Sequence, residues 1–238
     1  MNYSLIFAGG TGQRMNTDSL PKQFLQVHGK PVIIHTLLHF EKCEDINGIV
    51  VVCYEPYINH LKCLLKEYKI DKVLTIVPGG NSGQQSIYFG LKALAQIAKD
   101  DDVVLIHDGV RPLIDKQLIK NNIACVKEFG NAITVAKAIE TVIVVDSDKV
   151  NTIMDRTCCN YAKAPQSFYF RDIYSCHNKA ISENKNNFID SATMMLHYGY
   201  DLHTVLGASE NIKITTPMDF FMFKGLLDAK ESKQVKVD

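Results

Sequence analysis

The chain has 238 residues, 26 Lys+Arg against 26 Asp+Glu, 46% apolar residues and 22% charged ones. This balance excludes a nucleic-acid coat and a polybasic membrane-surface protein, while leaving room for a local basic pocket that takes a small anion. No stretch approaches the ~18 consecutive apolar residues of a membrane span, and the length suffices for a core without disulfides or a structural metal.

The first ten residues are apolar but lack a basic lead and a cleavage site, so they read as a strand rather than a signal peptide. The seven cysteines are odd in number and form no CxxC pair, as expected of reduced thiols in a cytoplasmic protein. Residues 4–8 predict a buried strand ended by Gly9-Gly10-Thr11-Gly12. Residues 31–40 fit a helix with Val32, Leu37 and Phe40 inward. Residues 48–54 (GIVVVCY) are the clearest strand, and residues 58–68 repeat apolar side chains at helical spacing. A strand at 73–77 ends in Pro78-Gly79-Gly80, and a helix over 84–98 follows. A strand at 102–106 delivers His107, Asp108 and Gly109 to a loop.

Residues 132–145 are rich in β-branched side chains and, with residues 150–154, predict a long hairpin arm over about residues 133–154. Then come a polar loop at 182–187, a helix at 192–198 and a short strand at 211–215. A last helix at 217–227 opens on proline, and a flexible tail covers 229–238. The alternation predicts one α/β domain over residues 1–228, with a single mostly parallel sheet and helices on both faces. Ligands of such sheets sit at the carboxyl ends of strands. Three predicted strand ends, after Ala8, Val77 and Ile106, carry glycine or charged residues.

Gly9-Gly10-Thr11-Gly12-Gln13-Arg14-Met15 lacks both the dinucleotide spacing and the Lys-Ser/Thr of a Walker loop. Glycines let backbone N–H groups approach an anion, and Arg14 and Lys22 add charge, so the segment predicts phosphate binding. No second histidine stands at metal-ligand spacing from His107, which argues against a zinc site.

AGGTGQRM, a short spacer, PKQFL and GKPVIIHT resemble the cytidylyltransferases that load sugar-alcohol phosphates onto CMP, within the glycosyltransferase-A-like nucleotidyltransferases. The similarity continues through Gly79-Gly80, HDGVRP (107–112), APQSF (164–168) and NIKIT (211–215), over nearly the whole chain. Two branches compete, one making CDP-ribitol, a precursor of cell-surface polymers such as teichoic acid, and one making CDP-methylerythritol in isoprenoid synthesis. Ala8-Gly9-Gly10, Ile34-His35-Thr36 and Ala138-Ile139-Glu140-Thr141 are closer to the ribitol branch; the other branch usually has AAG and Arg-Asp-Thr at the first and last of these.

The resemblance implies catalytic cations at Arg14, Lys22 and Lys213. It implies a nucleotide site at Ala8, Gly9, Gly10, Gly12, Gly80, Asn81, Ser86, Asp108 and Gly109, and acceptor contacts from Arg111, Thr141, Arg156 and Asp190. It also implies CTP and a polyol phosphate as substrates, magnesium or another divalent cation with Asp108 as a candidate ligand, and a homodimer in which Thr141 and Arg156 reach the neighbour's site. Three departures bear on the acceptor. Asn81 and its followers lack the family's arginine, Ala164 replaces a threonine, and Glu140 replaces an aspartate. The expected chemistry is in-line attack of an acceptor phosphate oxygen on the α-phosphorus of CTP, driven by positioning and positive charge. Rival readings are a non-catalytic nucleotide-binding regulator, against which three cations around one phosphorus argue, and a dinucleotide-dependent oxidoreductase, which the glycine spacing disfavours.

Overall fold

The computed structural model describes residues 1–10 and 20–232. A seven-stranded sheet runs in the order β11-β7-β10-β6-β1-β4-β5. Its strands are β1 (Asn2–Ala8), β4 (Gly48–Cys53), β5 (Val73–Pro78), β6 (Val103–Asp108), β7 (Asn131–Lys137), β10 (Asn160–Tyr169) and β11 (Thr204–Leu206). β1 pairs in parallel with β4 and β6, β4 with β5, and β7 with β11; β10 runs antiparallel between β6 and β7. A two-residue ribbon, β2 (Gln26–Val27) with β3 (Lys30–Pro31), precedes the first helix.

Every residue of β4 and β6 is buried, and both strands read as continuous apolar runs rather than alternating, up to His107 and Asp108 at the end of β6. One face carries α1 (Val32–Glu41), α2 (Ile58–Glu67) and α4 (Lys116–Phe129), whose Leu37, Leu61 and Ile119 pack with Ile6, Val51 and Leu105. The other carries α3 (Gly83–Leu94), α5 (Phe170–Ser182) and α6 (Ser191–His197), whose Leu91, Ile173 and Met194 pack with Leu5, Val52 and Val104. Each fully buried aliphatic side chain contributes ~1.5–3 kcal/mol. A third cluster joins Val32, Val110 and Ile214 to Phe223 of α7 (Pro217–Ser232). Side-chain caps start three helices: Ser82, Asp115 and Asp190 accept from Gln85, Leu118 and Thr193 N–H. Gly130 ends α4 at φ +89°, a conformation that favours glycine.

The structure corrects the arm. Asn131–Lys137 is a buried sheet strand between β10 and β11, and the hairpin is only β8 (Ile143–Asp146) with β9 (Lys149–Ile153). A run of β-branched residues satisfies a buried strand and a hairpin alike, and neighbours on both sides decide the case. Residues 211–215 form no strand, and α7 continues to Ser232, past the predicted end at 227.

Two buried histidines, His107 and His177, and the half-buried His39 carry a prediction. Burial lowers the pKa of His39, His107 and His177 to about 4, below the ordinary 6.5. The unfolded chain therefore takes up these protons first. Stability is fully present above pH 6.5 and is lost as pH falls toward 4, by at most ~1.4 kcal/mol per pH unit for each histidine. The urea midpoint is expected to be clearly lower at pH 5 than at pH 7; equal midpoints would contradict neutral burial.

Candidate active site

The carboxyl ends of β1, β5 and β6 meet at one edge of the sheet. β1 lies between β4 and β6, so the chain order reverses there and leaves a crevice. The loops after β1 and β5 touch backbone to backbone. A Cβ on Gly9 would lie 2.8 Å from Gly79 Cα, and one on Gly79 would lie 2.7 Å from Gly9 Cα. Neither position admits a side chain without moving a loop. Buried Gln23 pins the first loop, its Nε2 donating to the carbonyls of Ala8 at 2.9 Å and Gly10 at 3.0 Å. This sets the neighbouring Lys22 beside the glycines. On the second loop, Gly80 N donates to Ser86 Oγ at 3.0 Å and Asn81 N to Gln85 Oε1 at 2.7 Å.

Asp108 ends β6 and holds two cations. Lys213 Nζ is 2.6 Å from Oδ1 and Arg111 Nε 2.8 Å from Oδ2, with the carboxylate side chain only 7% exposed. Burial pushes the carboxyl pKa up, but Lys213 and Arg111 together outweigh it and bring the pKa down to about 2. Lys213 itself is 42% exposed and is delivered by an irregular segment. Asn211 anchors one end: its carbonyl accepts from Arg111 Nη1 at 2.9 Å and its Nδ2 donates to Ala164 O at 2.7 Å. Ile214 anchors the other, with its N–H on Val110 O and its side chain in the third cluster.

Two cavities of about 270 and 280 Å³ adjoin at this point. The first is lined by Ala8, Gly9, Gly10, Lys22, Gly80 and Asn81, among others. The second is lined by Arg111, Lys163, Gln166, Asp190 and Ser191, with Phe188 and His177. Phe7, Gly83, Asp108 and Lys213 belong to both. Gly83 opens α3, whose N-terminal dipole favours an anion there. A cation on the common wall of two cavities can neutralise charge on two anions as they approach one another. That is the requirement of phosphoryl transfer between two phosphorylated substrates.

Residues 3–228 match the family described as 2-C-methyl-D-erythritol 4-phosphate cytidylyltransferase. The chain belongs to this cytidylyltransferase family. It is 52% identical over 236 residues to the ribitol-5-phosphate cytidylyltransferase of Streptococcus agalactiae serotype III, covering 99% of each chain. It is 50% identical to that of Vibrio parahaemolyticus, again over 99% of each. Against the 2-C-methyl-D-erythritol 4-phosphate cytidylyltransferase of Clostridium botulinum (strain Langeland) identity is 37%, over 95% of this chain and 97% of that one. The solved 4-diphosphocytidyl-2C-methyl-D-erythritol synthase of Anaerococcus prevotii superposes with a TM-score of 0.82 at 26% identity, over 95% and 98% of the two chains.

The first cavity brings together Ala8, Gly9, Gly10, Gly80, Asn81, Ser86 and Asp108, which the sequence assigns to a nucleotide site, with Lys22 and Lys213, which it assigns as catalytic cations. Gly12 and Arg14 lie outside the described residues. Gly109 lines neither cavity. Its N–H donates to Phe7 O at 3.0 Å, and a Cβ there would lie 2.8 Å from Ala8 Cβ, so it is a packing glycine behind the loop. Arg111 lines the second cavity, but two of its nitrogens are held by Asp108 and Asn211. Asp190 also lines it, with its carboxylate occupied in capping α6 and accepting from Gln166 Nε2 at 2.8 Å. Thr141 and Arg156 stand exposed beside the hairpin and line neither cavity of their own chain; Arg156 Nη1 donates to Ile139 O.

The sequence reading missed Lys163, Gln23, Gln84 and His177. Lys163 borders the second cavity, its pKa lowered by burial and by the Arg111 charge. Gln23 stood in the quoted PKQFL segment, where its position next to Lys22 was the available signal. His177 carried no signal, being one polar residue on an amphipathic helix.

Proposed function

We propose that this cytidylyltransferase transfers CMP from CTP to D-ribitol 5-phosphate. An acceptor phosphate oxygen bonds to the α-phosphorus, the bond from that phosphorus to the bridging oxygen breaks, and pyrophosphate leaves. The single supporting observation for the acceptor is the greater identity to relatives named for ribitol 5-phosphate, 52% and 50%, against 37% for the Clostridium botulinum protein.

In this reading Lys22 and the two glycine loops hold the triphosphate. Lys213 carries positive charge between the α-phosphate and the acceptor phosphate. Arg111 and Lys163 give the second cavity its positive side, and Asp108 fixes the direction of both Lys213 and Arg111. No strong base is required, because a phosphate monoester is already mostly ionised at pH 7.

Magnesium belongs to the proposal as an ion carried on the triphosphate. The protein's own donors do not fit a metal cage. Among the described residues no three His, Cys, Asp or Glu side chains cluster for a metal. Asp108, the candidate ligand, has one oxygen on Lys213 and the other on Arg111.

The arm supports a homodimer. Ile139, Val145, Val150 and Ile153 are all exposed along it, an apolar strip that a second subunit would cover. Among the described residues no helix is long and apolar enough to cross a membrane, which suits work in the cytoplasm, where CTP is made.

The acceptor is tested by pyrophosphate release with four nucleoside triphosphates and a panel of polyol phosphates. The specificity constant is expected to favour ribitol 5-phosphate over methylerythritol phosphate by at least ~10-fold, or ~1.4 kcal/mol. Equal constants, or the reverse order, would replace the acceptor and leave cytidylyl transfer standing.

A further inference from the structure

β10 leaves its ladder with β7 beside the second cavity. Ala162 pairs with Val135 and Gln166 with Ile133, so Lys163, Ala164 and Pro165 together stand opposite Thr134 alone. In a regular strand neighbouring side chains point to opposite faces. Here Ala162, Lys163 and Ala164 all border the one cavity, which the bulge permits by re-aiming the backbone.

The wall of that cavity carries three cations, Arg111, Lys163 and Lys213, and two carboxylates, Asp108 and Asp190. Lys213 and Arg111 both pair with Asp108. Asp190 caps α6 and accepts from Gln166. Among the described residues no carboxylate lies within ion-pair distance of Lys163, whose Nζ donates to Ser209 O at 3.3 Å. An ammonium has three donors, so two remain for a ligand. The surroundings penalise its charge. The side chain is half-buried, and burial lowers its pKa, with the Arg111 guanidinium adding to the effect against the weaker pull of Glu210. Two cations that repel each other on one cavity wall are both relieved by an anion placed between them. Arg111 is already held by Asp108 and Asn211, so much of the new attraction falls to Lys163.

We infer that Lys163 binds the acceptor phosphate directly, holding a non-attacking oxygen while Lys213 faces the phosphorus under attack. The inference rests on the second cavity taking a phosphate monoester as acceptor, and it does not depend on which polyol carries that phosphate. The charge Lys163 meets is present before the reaction begins, so its contribution is to binding, and its loss falls chiefly on KM for the acceptor.

Steady-state kinetics with Lys163→Met and Lys163→Arg supply the test. Methionine keeps an unbranched stem and removes the charge. It is expected to raise KM for ribitol 5-phosphate by about ten- to hundredfold, the range of one charge-assisted hydrogen bond, with kcat within about threefold of wild type and KM for CTP unchanged. Arginine keeps the charge and is expected to bring that KM back to within about fivefold of wild type. Erythritol 4-phosphate carries the same phosphate on a shorter polyol, and as a substrate or competitive inhibitor it is expected to weaken by the same factor in Lys163→Met. Lys163→Gln carries the same comparison if the methionine variant does not fold. An unchanged KM for the acceptor, a rise in KM for CTP alongside it, a loss confined to one polyol, or a loss that arginine does not recover overturns the inference. Wild-type protein that uses another polyol phosphate in place of ribitol 5-phosphate overturns the acceptor reading alone, and Lys163→Met is then measured on that acceptor. Wild-type protein that transfers CMP to no polyol phosphate overturns both.

Discussion

Lys213→Ala is expected to lower kcat for CMP transfer by ~10²–10³-fold, the loss that follows removal of one group aimed at developing charge, about 3–4 kcal/mol of barrier. Its ammonium lies on the wall common to both cavities, so no other described cation is placed to meet both substrates' phosphates there. Some stability is lost as well, since the buried Asp108 carboxylate gives up one of its two counter-charges, but the Lys213 side chain is 42% exposed and Asp108 keeps Arg111. A modestly lowered thermal midpoint with turnover reduced at least a hundredfold is the expected result. Lys22→Ala should behave alike, because Lys22 lines the nucleotide cavity beside loops that Gln23 pins. Near-normal turnover in either variant would remove that lysine from the transition state. Steady-state kinetics with each substrate varied in turn supplies the measurement.

Mixing an inactive Lys213→Ala subunit with an inactive Arg156→Ala subunit is expected to recover activity. In a twofold dimer with exchanged arms, one of the two sites in each heterodimer keeps its own Lys213 and the partner's intact Arg156. Statistical mixing then returns about a quarter of wild-type activity. The physical ground is that Arg156 and Thr141 are exposed and line neither cavity of their own chain, while the adjacent hairpin exposes Ile143, Val145, Val150 and Ile153. A side chain that stands outside its own subunit's cavities can serve only another subunit's site or none. Verified heterodimers without activity would assign Arg156 a role other than the acceptor contact.

Asp108 shows why the site resists change at a distance. Its carboxylate accepts from both basic residues, and Arg111 in turn holds the carbonyl of Asn211, two residues before Lys213. Loss of the carboxylate leaves a mostly buried guanidinium without its counterion, a larger penalty than loss of an exposed ion pair. The same two ion pairs keep Asp108 charged and committed, which is why it suits the positioning of cations better than the ligation of a metal.

The parallel half of the sheet was legible because its strands are buried on both faces and read as unbroken apolar runs, as in residues 48–54. The two glycine loops and Lys22 were legible because turn glycines and a nearby cation are local signals. The family resemblance supplied Lys213 and Arg111, which no local pattern would have chosen, whereas the hairpin was read, too long, from its β-branched residues. α4 and α5 went unassigned, although their apolar spacing is helical, and β10 was missed because Pro165 interrupts it. Proline argues against a central strand, but here a register shift between Ala162 and Gln166 accommodates it.

By itself the sequence determined the alternation of strands and helices, the glycine turns and the charges beside them, since each depends on residues a few positions apart. Only the tertiary structure decided that Asn131–Lys137 is a sheet strand rather than part of the arm, because that depends on β10 and β11 lying on either side of it. Only packing brings Lys213 within 2.6 Å of Asp108, across 105 residues of chain, by anchoring the irregular segment around it at Asn211 and Ile214. And only packing leaves the two nitrogens of His177 buried and unpaired, since hydrogen-bond satisfaction belongs to a side chain's neighbours in space, which an amphipathic helix in sequence does not name.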